Sequence, residues 1–337
     1  FTSFDLTGFY LTFPSNKLDL MLDIEVDRVR NLLLKEEDLK SEREVVKEER
    51  RWRVDNNPMG LMREKIFGTL FKVHPYRNPV IGTMEDISNY TPEKLRYFYD
   101  NYYLPNNAVL VLVGDFVSAD VLKKIKKEYG RLPKKDSPQL MLPNEPEQLK
   151  ATAQTLKQSV QSVTLAIAAQ TVGAGHEDQY ALDLLSAILG EGESSRLHRK
   201  LVYEKELATS SYSYHMSLRD HGVFYLGASL RPKSDKAGVM QILSQELNRV
   251  ISQKVTAAEL EKAKANVMKN FVDSLETMDG KAQALASAEI MRGDFQSMFN
   301  DLPRYQKVTE EDLLRVGKKY LAPQKRNITI LEPGMGK

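Results

Sequence analysis

Glu42 and Glu49 stand seven residues apart in a run that holds neither Gly nor Pro between Lys35 and Arg53. Such a run reads as one helix that stops before Asn56-Asn57-Pro58. Seven residues are close to two turns, so both carboxylates share one face, with Val46 between them. Two carboxylates so placed can serve a metal ion, one as a direct ligand and the other as its support. The same residues also suit a solvated face, on which Glu49 pairs with Arg53 one turn later. The stretch by itself leaves both readings open.

The other residues with chemical reach narrow the choice. The five histidines are His74, His176, His198, His215 and His221, and the closest two are six apart. None forms an i, i+4 pair, so no helix face of this chain presents two imidazoles. They read as structural or surface histidines. Zero cysteines exclude thiolate ligands and disulfides. The GEGESS stretch from Gly190 to Ser195 lacks the lysine of a phosphate loop and reads as a turn with serine caps. Tyr97, Phe98, Tyr102 and Tyr103 read as packing and not as a stacking platform. A net charge of +2 argues for neither nucleic acid nor an acidic membrane surface, and no apolar run approaches the length of a membrane span.

Around the candidate helix, 337 residues suggest two domains. Residues 9–13 read as a strand and 18–34 as a helix of period 3.6. Thr91-Pro92 opens another helix, with Thr at the N-cap and Pro at the first position. The apolar run 108–113 reads as a buried strand. Pro133, Pro138, Pro143 and Pro146 mark an interdomain linker. After it come a strand near 161–169, a helix over 178–189, a helix starting at Ser194, a strand over 223–230 and a helix over 236–251. Thr256 and Glu259 form a capping box that opens a long helix, and the chain closes on a helix after Thr309 and a strand over 327–331.

The two halves repeat one another. Thr91 through Pro105 matches Thr309 through Pro323 at a constant offset (309 − 91 and 323 − 105 both give 218). Asp38 through Val46 matches Glu259 through Val267, and Asp5 through Phe13 matches Asp220 through Ala228. Two homologous α/β units follow, an α+β fold in which each domain is a mixed, largely antiparallel sheet packed with helices. The expected division is a first domain over 1–132, a linker over 133–150 and a second domain over 151–337. In the second copy Ala263 and Asn270 occupy the places of Glu42 and Glu49, as expected if the carboxylates are a site and not scaffold. The repeat also registers roughly sixty residues of the first domain ahead of Phe1, which is neither an initiator Met nor part of a signal sequence.

Taken together, FTSFDLTGFY, ERxVVxEE, DNNP, HPYRNPVIG and NYYLPNNAVLVLVGD in the first half, with ILGEGESSRL and LVYEKELATS in the second, resemble the pitrilysin/insulinase superfamily of zinc metallopeptidases. The similarity is to the short two-domain kind related to the mitochondrial processing peptidase. Such proteins use an inverted His-x-x-Glu-His helix plus a distant Glu. The resemblance implies that Glu49 is the third zinc ligand and Glu42 its supporting carboxylate. The two His ligands and the general-base Glu are implied upstream of Phe1, so the chain has no catalytic residue of its own. It further implies that peptide adds as a strand beside Phe1, Thr2 and Ser3.

One departure concerns partners. The superfamily's Arg and Tyr, seven apart in the second domain, fall here on Val202 and Thr209, with Arg199 and Tyr203 out of register. The expectation is a zinc-binding endopeptidase subunit cleaving unstructured peptides, with a sister subunit carrying the Arg/Tyr pair in a heterodimer. A homodimer is the alternative assembly, and a non-catalytic partner or scaffold subunit that binds peptide or protein is the alternative function. A soluble protein of the bacterial periplasm or cytoplasm is expected.

Overall fold

The computed structural model describes residues 1–138 and 140–334; Gln139 of the proline-rich stretch and the last three residues lie outside them. The helices are α1 (Leu18–Asn31), α2 (Glu36–Arg50), α3 (Pro58–Leu70), α4 (Met84–Ser88), α5 (Pro92–Tyr102), α6 (Ser118–Tyr129), α7 (Asp178–Gly190), α8 (Lys236–Ser252), α9 (Ala257–Ser274), α10 (Met278–Arg292), α11 (Asp301–Lys307) and α12 (Glu310–Tyr320). The strands are β1 (Thr152–Gln158), β2 (Thr164–Val172), β3 (Ala208–Ser217), β4 (His221–Leu230) and β5 (Asn327–Pro333). The fold class is α+β.

Two compact units divide the chain. One gathers Phe1–Trp52, Pro79–Leu142 and Ser274–Phe295, and the other gathers Arg53–Asn78, Pro143–Asp273 and Gln296–Lys337. The repeat accounts for this interleaving. At the offsets read from the sequence, α2 falls on α9, α3 on α10 and α5 on α12. α3 belongs to the second unit and α10 to the first, so each copy lends the equivalent helix to the other unit.

The second unit holds a five-stranded sheet in the order β1-β5-β2-β4-β3. β1 runs parallel to β5, and the other neighbours are antiparallel. β2 and β4 are buried almost throughout because both faces are covered. Leu165, Ile167 and Ala169 of β2 and Phe224, Leu226 and Ala228 of β4 join the core formed with α7, α8 and α12. α3 packs on β1, β5 and β2. At the edge, α7 comes down on β3. A Cβ on Gly190 would meet the Ser213 backbone nitrogen at 2.1 Å, so only glycine permits this approach.

The first unit is helical among its described residues, and one of the two expected sheets is formed. Residues 9–13 and 108–113 were expected as strands and run as irregular extended chain, with Val109 and Leu110 exposed. A strand needs neighbours for its backbone N–H and C=O groups. In this unit the described residues offer only the bridge between Thr2 and Thr7. β1 and β3, which no sequence signal marked, both lie at the edges of the sheet.

Candidate functional site

The candidate helix is built by charge as much as by packing. Glu36, Glu37 and Asp38 sit in the first turn of α2, with Lys47 and Arg50 in the last, the arrangement that suits a helix dipole. α2 passes directly into a π-helical segment, Arg51–Asp55. The next helix then starts cleanly, because Asn57 Oδ1 accepts from Met59 N and Gly60 N at 3.1 Å and Pro58 fills the first position. Gly60 is required there, since a Cβ would fall 2.0 Å from the Arg53 carbonyl oxygen. The expected stop before Asn56-Asn57-Pro58 is thus in place.

On α2, Glu42 is exposed and Glu49 half-buried. Their acidic neighbours pair locally, Glu44 with Lys47 at 2.8 Å and Glu48 with Arg51. Two arginines, each one residue after a candidate carboxylate, attach the helix to the 79–91 segment. Arg43 Nη2 donates to the Tyr90 carbonyl at 2.5 Å, and Arg50 Nη1 donates to the Gly82 carbonyl at 2.7 Å. Nothing in the composition of a charged helix marks these two residues, because their acceptors lie 47 and 32 residues away in sequence.

The second copy carries a different chemistry at the same place. Ala263 of α9 is buried, and Asn270 Nδ2 donates to Glu191 Oε1 at 2.9 Å. Lys262 Nζ donates to Ser194 Oγ, and Arg196 grips Glu259 through two nitrogens at 2.6 and 2.8 Å. Hydrogen bonds among side chains thus occupy the region that corresponds to the carboxylate face of α2.

The remaining candidates are placed as follows. Phe1 N donates to the Gly8 carbonyl and Gly8 N to the Phe1 carbonyl, both at 2.9 Å. Phe1, Thr2 and Ser3 therefore form the first arm of a small exposed hairpin. Val202 lies in a π-helical segment, His198–Glu204, and packs against the core of the second unit. Thr209 is the second residue of β3, at an irregularity in its pairing with β4, and its hydroxyl donates to the Ser229 carbonyl at 3.2 Å.

Four of the histidines have local partners. His74 is buried, its Nδ1 accepts from Tyr76 N at 3.3 Å, and its Nε2 lies 3.4 Å from Asp220 Oδ2. His221 packs edge-on to it at 4.9 Å between ring centroids. Burial holds the His221 imidazole below its ordinary range, with the His74 charge acting in the same direction. His215 lies between Asp183 at 2.7 Å and Thr171 at 2.8 Å. His176 Nδ1 accepts from Asp178 N at 3.0 Å. Among the described residues, no three His, Asp or Glu side chains gather in a way that could hold a metal ion. No described helix is long and apolar enough to cross a membrane.

Comparison with known proteins identifies the family. The insulinase (peptidase family M16) description matches residues 1–84, and the peptidase M16 inactive domain description matches residues 89–267. The zinc protease PqqE of Helicobacter pylori is 34% identical over 335 residues, covering 98% of this chain and 75% of the relative. An uncharacterized zinc protease of Mycobacterium leprae, ML0855, is 28% identical over 323 residues, covering 93% of this chain and 70% of the relative. The crystal structure of a protease from Helicobacter pylori superposes with a TM-score of 0.88 at 32% identity, over 95% of this chain and 78% of the other. A peptidase M16 inactive domain from Pseudomonas fluorescens shares the fold, with a TM-score of 0.85 at 20% identity over 96% of this chain and 76% of the other. Its relatives are named zinc proteases, and this chain belongs to the insulinase, or M16, peptidase family.

Proposed function

We propose that this chain is the carboxylate-bearing part of a zinc-dependent endopeptidase subunit acting on unstructured peptides. The observation that carries the reading is the asymmetry of the repeat. Glu42 and Glu49 share one face of α2, whereas the equivalent positions of α9 hold buried Ala263 and hydrogen-bonded Asn270. A requirement of the shared scaffold would act on both copies alike, and acids in one copy alone are what a site would leave.

The residues present fit zinc as a partial set. Carboxylate oxygen is a proper zinc ligand beside imidazole nitrogen, and such a ligand needs a supporting group behind it. Glu49 would hold the ion and Glu42 would support it. Bound zinc supplies a water of lowered pKa and polarises the scissile carbonyl. No two histidines of this chain are spaced i, i+4; in this reading, as the family resemblance implies, the two further ligands and the general base would lie upstream of Phe1. In this reading residues 1–132 are the metal-bearing domain, 133–150 the connection and 151–337 its homologue. The arm Phe1-Thr2-Ser3 lies beside the peptide, and a sister subunit supplies the Arg/Tyr pair absent at Val202 and Thr209.

A second reading rests on those same two positions and on the incomplete ligand set. It makes the chain a non-catalytic partner that binds peptide or protein in the same family assembly. One experiment separates the two. The chain is produced alone and with its upstream sequence, and each form is assayed for zinc content and for chelator-sensitive cleavage of an unstructured fluorogenic peptide. The endopeptidase reading expects one zinc per longer chain, lost on Glu49→Ala, and none on the shorter chain. A longer chain that binds no zinc, yet still binds peptide, selects the partner reading.

A further inference from the structure

We propose that Arg43 and Arg50 are positioning residues that set the rotation of α2 and so aim the Glu42/Glu49 face; the inference rests on the metal reading given above. α2 has little apolar burial to fix its roll. Only Leu39 and Arg50 of its fifteen residues are buried, and Val45 is 54% exposed. A helix is held in register by a broad apolar stripe, and this one lacks such a stripe.

The arginines provide what the packing does not. They are seven residues apart, as the carboxylates are, so their attachments lie about 10 Å apart along the helix axis. Each follows its carboxylate by one residue, which is about 100° of rotation. Two attachments on one side therefore fix both the roll and the slide of the face a quarter-turn away. Guanidinium suits this task, because a rigid fork loses less freedom per hydrogen bond than an ammonium does.

The acceptors are themselves held. Gly82 has φ of +82°, a conformation that favours glycine, and its N–H donates to the Pro79 carbonyl at 3.0 Å. The next residue, Thr83, caps α4 with a reciprocal pair to Asp86, the hydroxyl and backbone N–H of Thr83 donating at 2.7 and 3.0 Å. Tyr90 is followed by Thr91, whose hydroxyl caps α5 by accepting from Lys94 N. Arg43 and Arg50 thus bind carbonyls at two capped corners. The magnitude makes this matter. A roll of about 10° carries a side-chain atom at the helix surface by about 1 Å. A metal ligand must be held to about 0.5 Å.

The test uses Arg43→Ala, Arg50→Ala, their double variant and Arg50→Lys, with Glu49→Ala as the control. Two readouts are needed: amide hydrogen exchange across α2, and zinc affinity of the chain carried on its upstream sequence, measured by chelator competition. Each alanine variant is expected to raise exchange over residues 43–50 and to weaken zinc roughly 10- to 100-fold. Arg50→Lys is expected to restore part of both, and all variants are to be compared well below their melting temperature. Zinc affinity within twofold of the parent, while Glu49→Ala abolishes binding, overturns the inference and leaves the metal reading standing. If Glu49→Ala instead binds zinc like the parent, the metal reading fails. Exchange then decides the role of the arginines alone, and unchanged protection of α2 overturns it.

Discussion

The Glu145 carboxylate accepts the backbone N–H of His74 at 2.8 Å, and it takes those of Lys72 and Val73 as well, at 2.6 and 3.0 Å. Three successive N–H groups turned to one point form an anion-binding nest, here filled from within the chain. Burial pushes the Glu145 carboxyl up, but these three donors outweigh it and leave the group below its ordinary range. The attachment continues along the chain. Glu147 pairs with Lys325 at 2.8 Å, and Asn327 Nδ2 donates to Gln148 Oε1 at 2.7 Å. The proline-rich stretch after Pro143 is therefore a strap, held to the second unit at Glu145, Glu147 and Gln148.

Glu145→Ala is expected to release this strap. It leaves three backbone donors facing a vacated acceptor, at a cost of about 2 kcal/mol. Urea denaturation should show the loss, and limited proteolysis should cut the 133–150 stretch faster than in the parent. Glu145→Gln, which keeps one acceptor oxygen, should fall between the two. Equal cleavage rates in all three proteins would refute the strap.

Asp178 gives the second unit an acid-sensitive joint. Its buried carboxylate, at the first turn of α7, accepts from Lys319 at 2.9 Å, from the Tyr320 hydroxyl at 2.6 Å and from Arg315. Burial raises its pKa, but hydrogen bonds from Tyr320, Arg315 and Lys319 more than reverse this and bring it from 3.8 to about 2. A depressed carboxyl binds its proton first in the unfolded chain. Its contribution is therefore complete above about pH 4 and is lost as pH falls toward 2. Asp178→Asn should cost about 3 kcal/mol at neutral pH. It should also flatten the pH dependence of the urea midpoint across that same acid window, and a midpoint that falls with acid as steeply as in the parent would remove Asp178 as the cause.

Two glycines of one turn should respond differently to alanine. A Cβ on Gly190 meets the backbone of Ser213 at 2.1 Å, which cannot retreat without parting α7 from β3. Gly192 has open space around it but a φ of +76°. Gly190→Ala should cost about 3 kcal/mol by overpacking. Gly192→Ala should cost about 1 kcal/mol by backbone strain. Thermal melts of the two variants check the order, and a neutral Gly190→Ala would show that the helix and strand are not in contact.

What the sequence disclosed depended on whether a signal was local. The caps at Thr91 and Thr256 and the stop at Asn57-Pro58 are short-range chemistry, and all are formed. The α+β class and the repeat were legible for the same reason, since each rests on runs of neighbouring residues. β3 was hidden because the face it turns inward carries Ser211, Ser213, His215 and Ser217 in place of an apolar alternation. Small and polar residues are needed there because Gly190 brings α7 so close. The expected strands at 9–13 and 108–113 failed from the opposite cause, apolar character without a neighbouring strand to pair with. In the candidate site the spacing of Glu42 and Glu49 could be read directly. The partners of Arg43 and Glu145 could not, because Tyr90 and His74 lie 47 and 71 residues away in sequence.

His215 poses a last question, because its neighbours have the geometry of a hydrolytic triad. Asp183 Oδ1 lies 2.7 Å from His215 Nδ1, and the Thr171 hydroxyl lies 2.8 Å from Nε2. A carboxylate can only accept, so Nδ1 donates to Asp183, and the Thr171 hydroxyl lies within hydrogen-bond distance of Nε2, where a triad would place its nucleophile. Burial decides against chemistry. The His215 side chain is fully buried and Thr171 is 6% exposed. The β4 backbone closes over the hydroxyl, since a Cβ on Gly222 would lie 2.4 Å from Thr171 Oγ1 and 3.0 Å from His215 Nε2. The other Asp183 oxygen accepts from the Tyr305 hydroxyl at 2.7 Å, so the group joins β2 and β3 through α7 to α11. Its role is to tie these elements together. His215→Ala should lower stability by about 3 kcal/mol, as expected for a buried polar network that loses its centre. The parent protein should not be labelled by a fluorophosphonate, because no substrate can reach the threonine. Labelling that vanishes on Thr171→Val would reverse this conclusion and make the buried triad an active one.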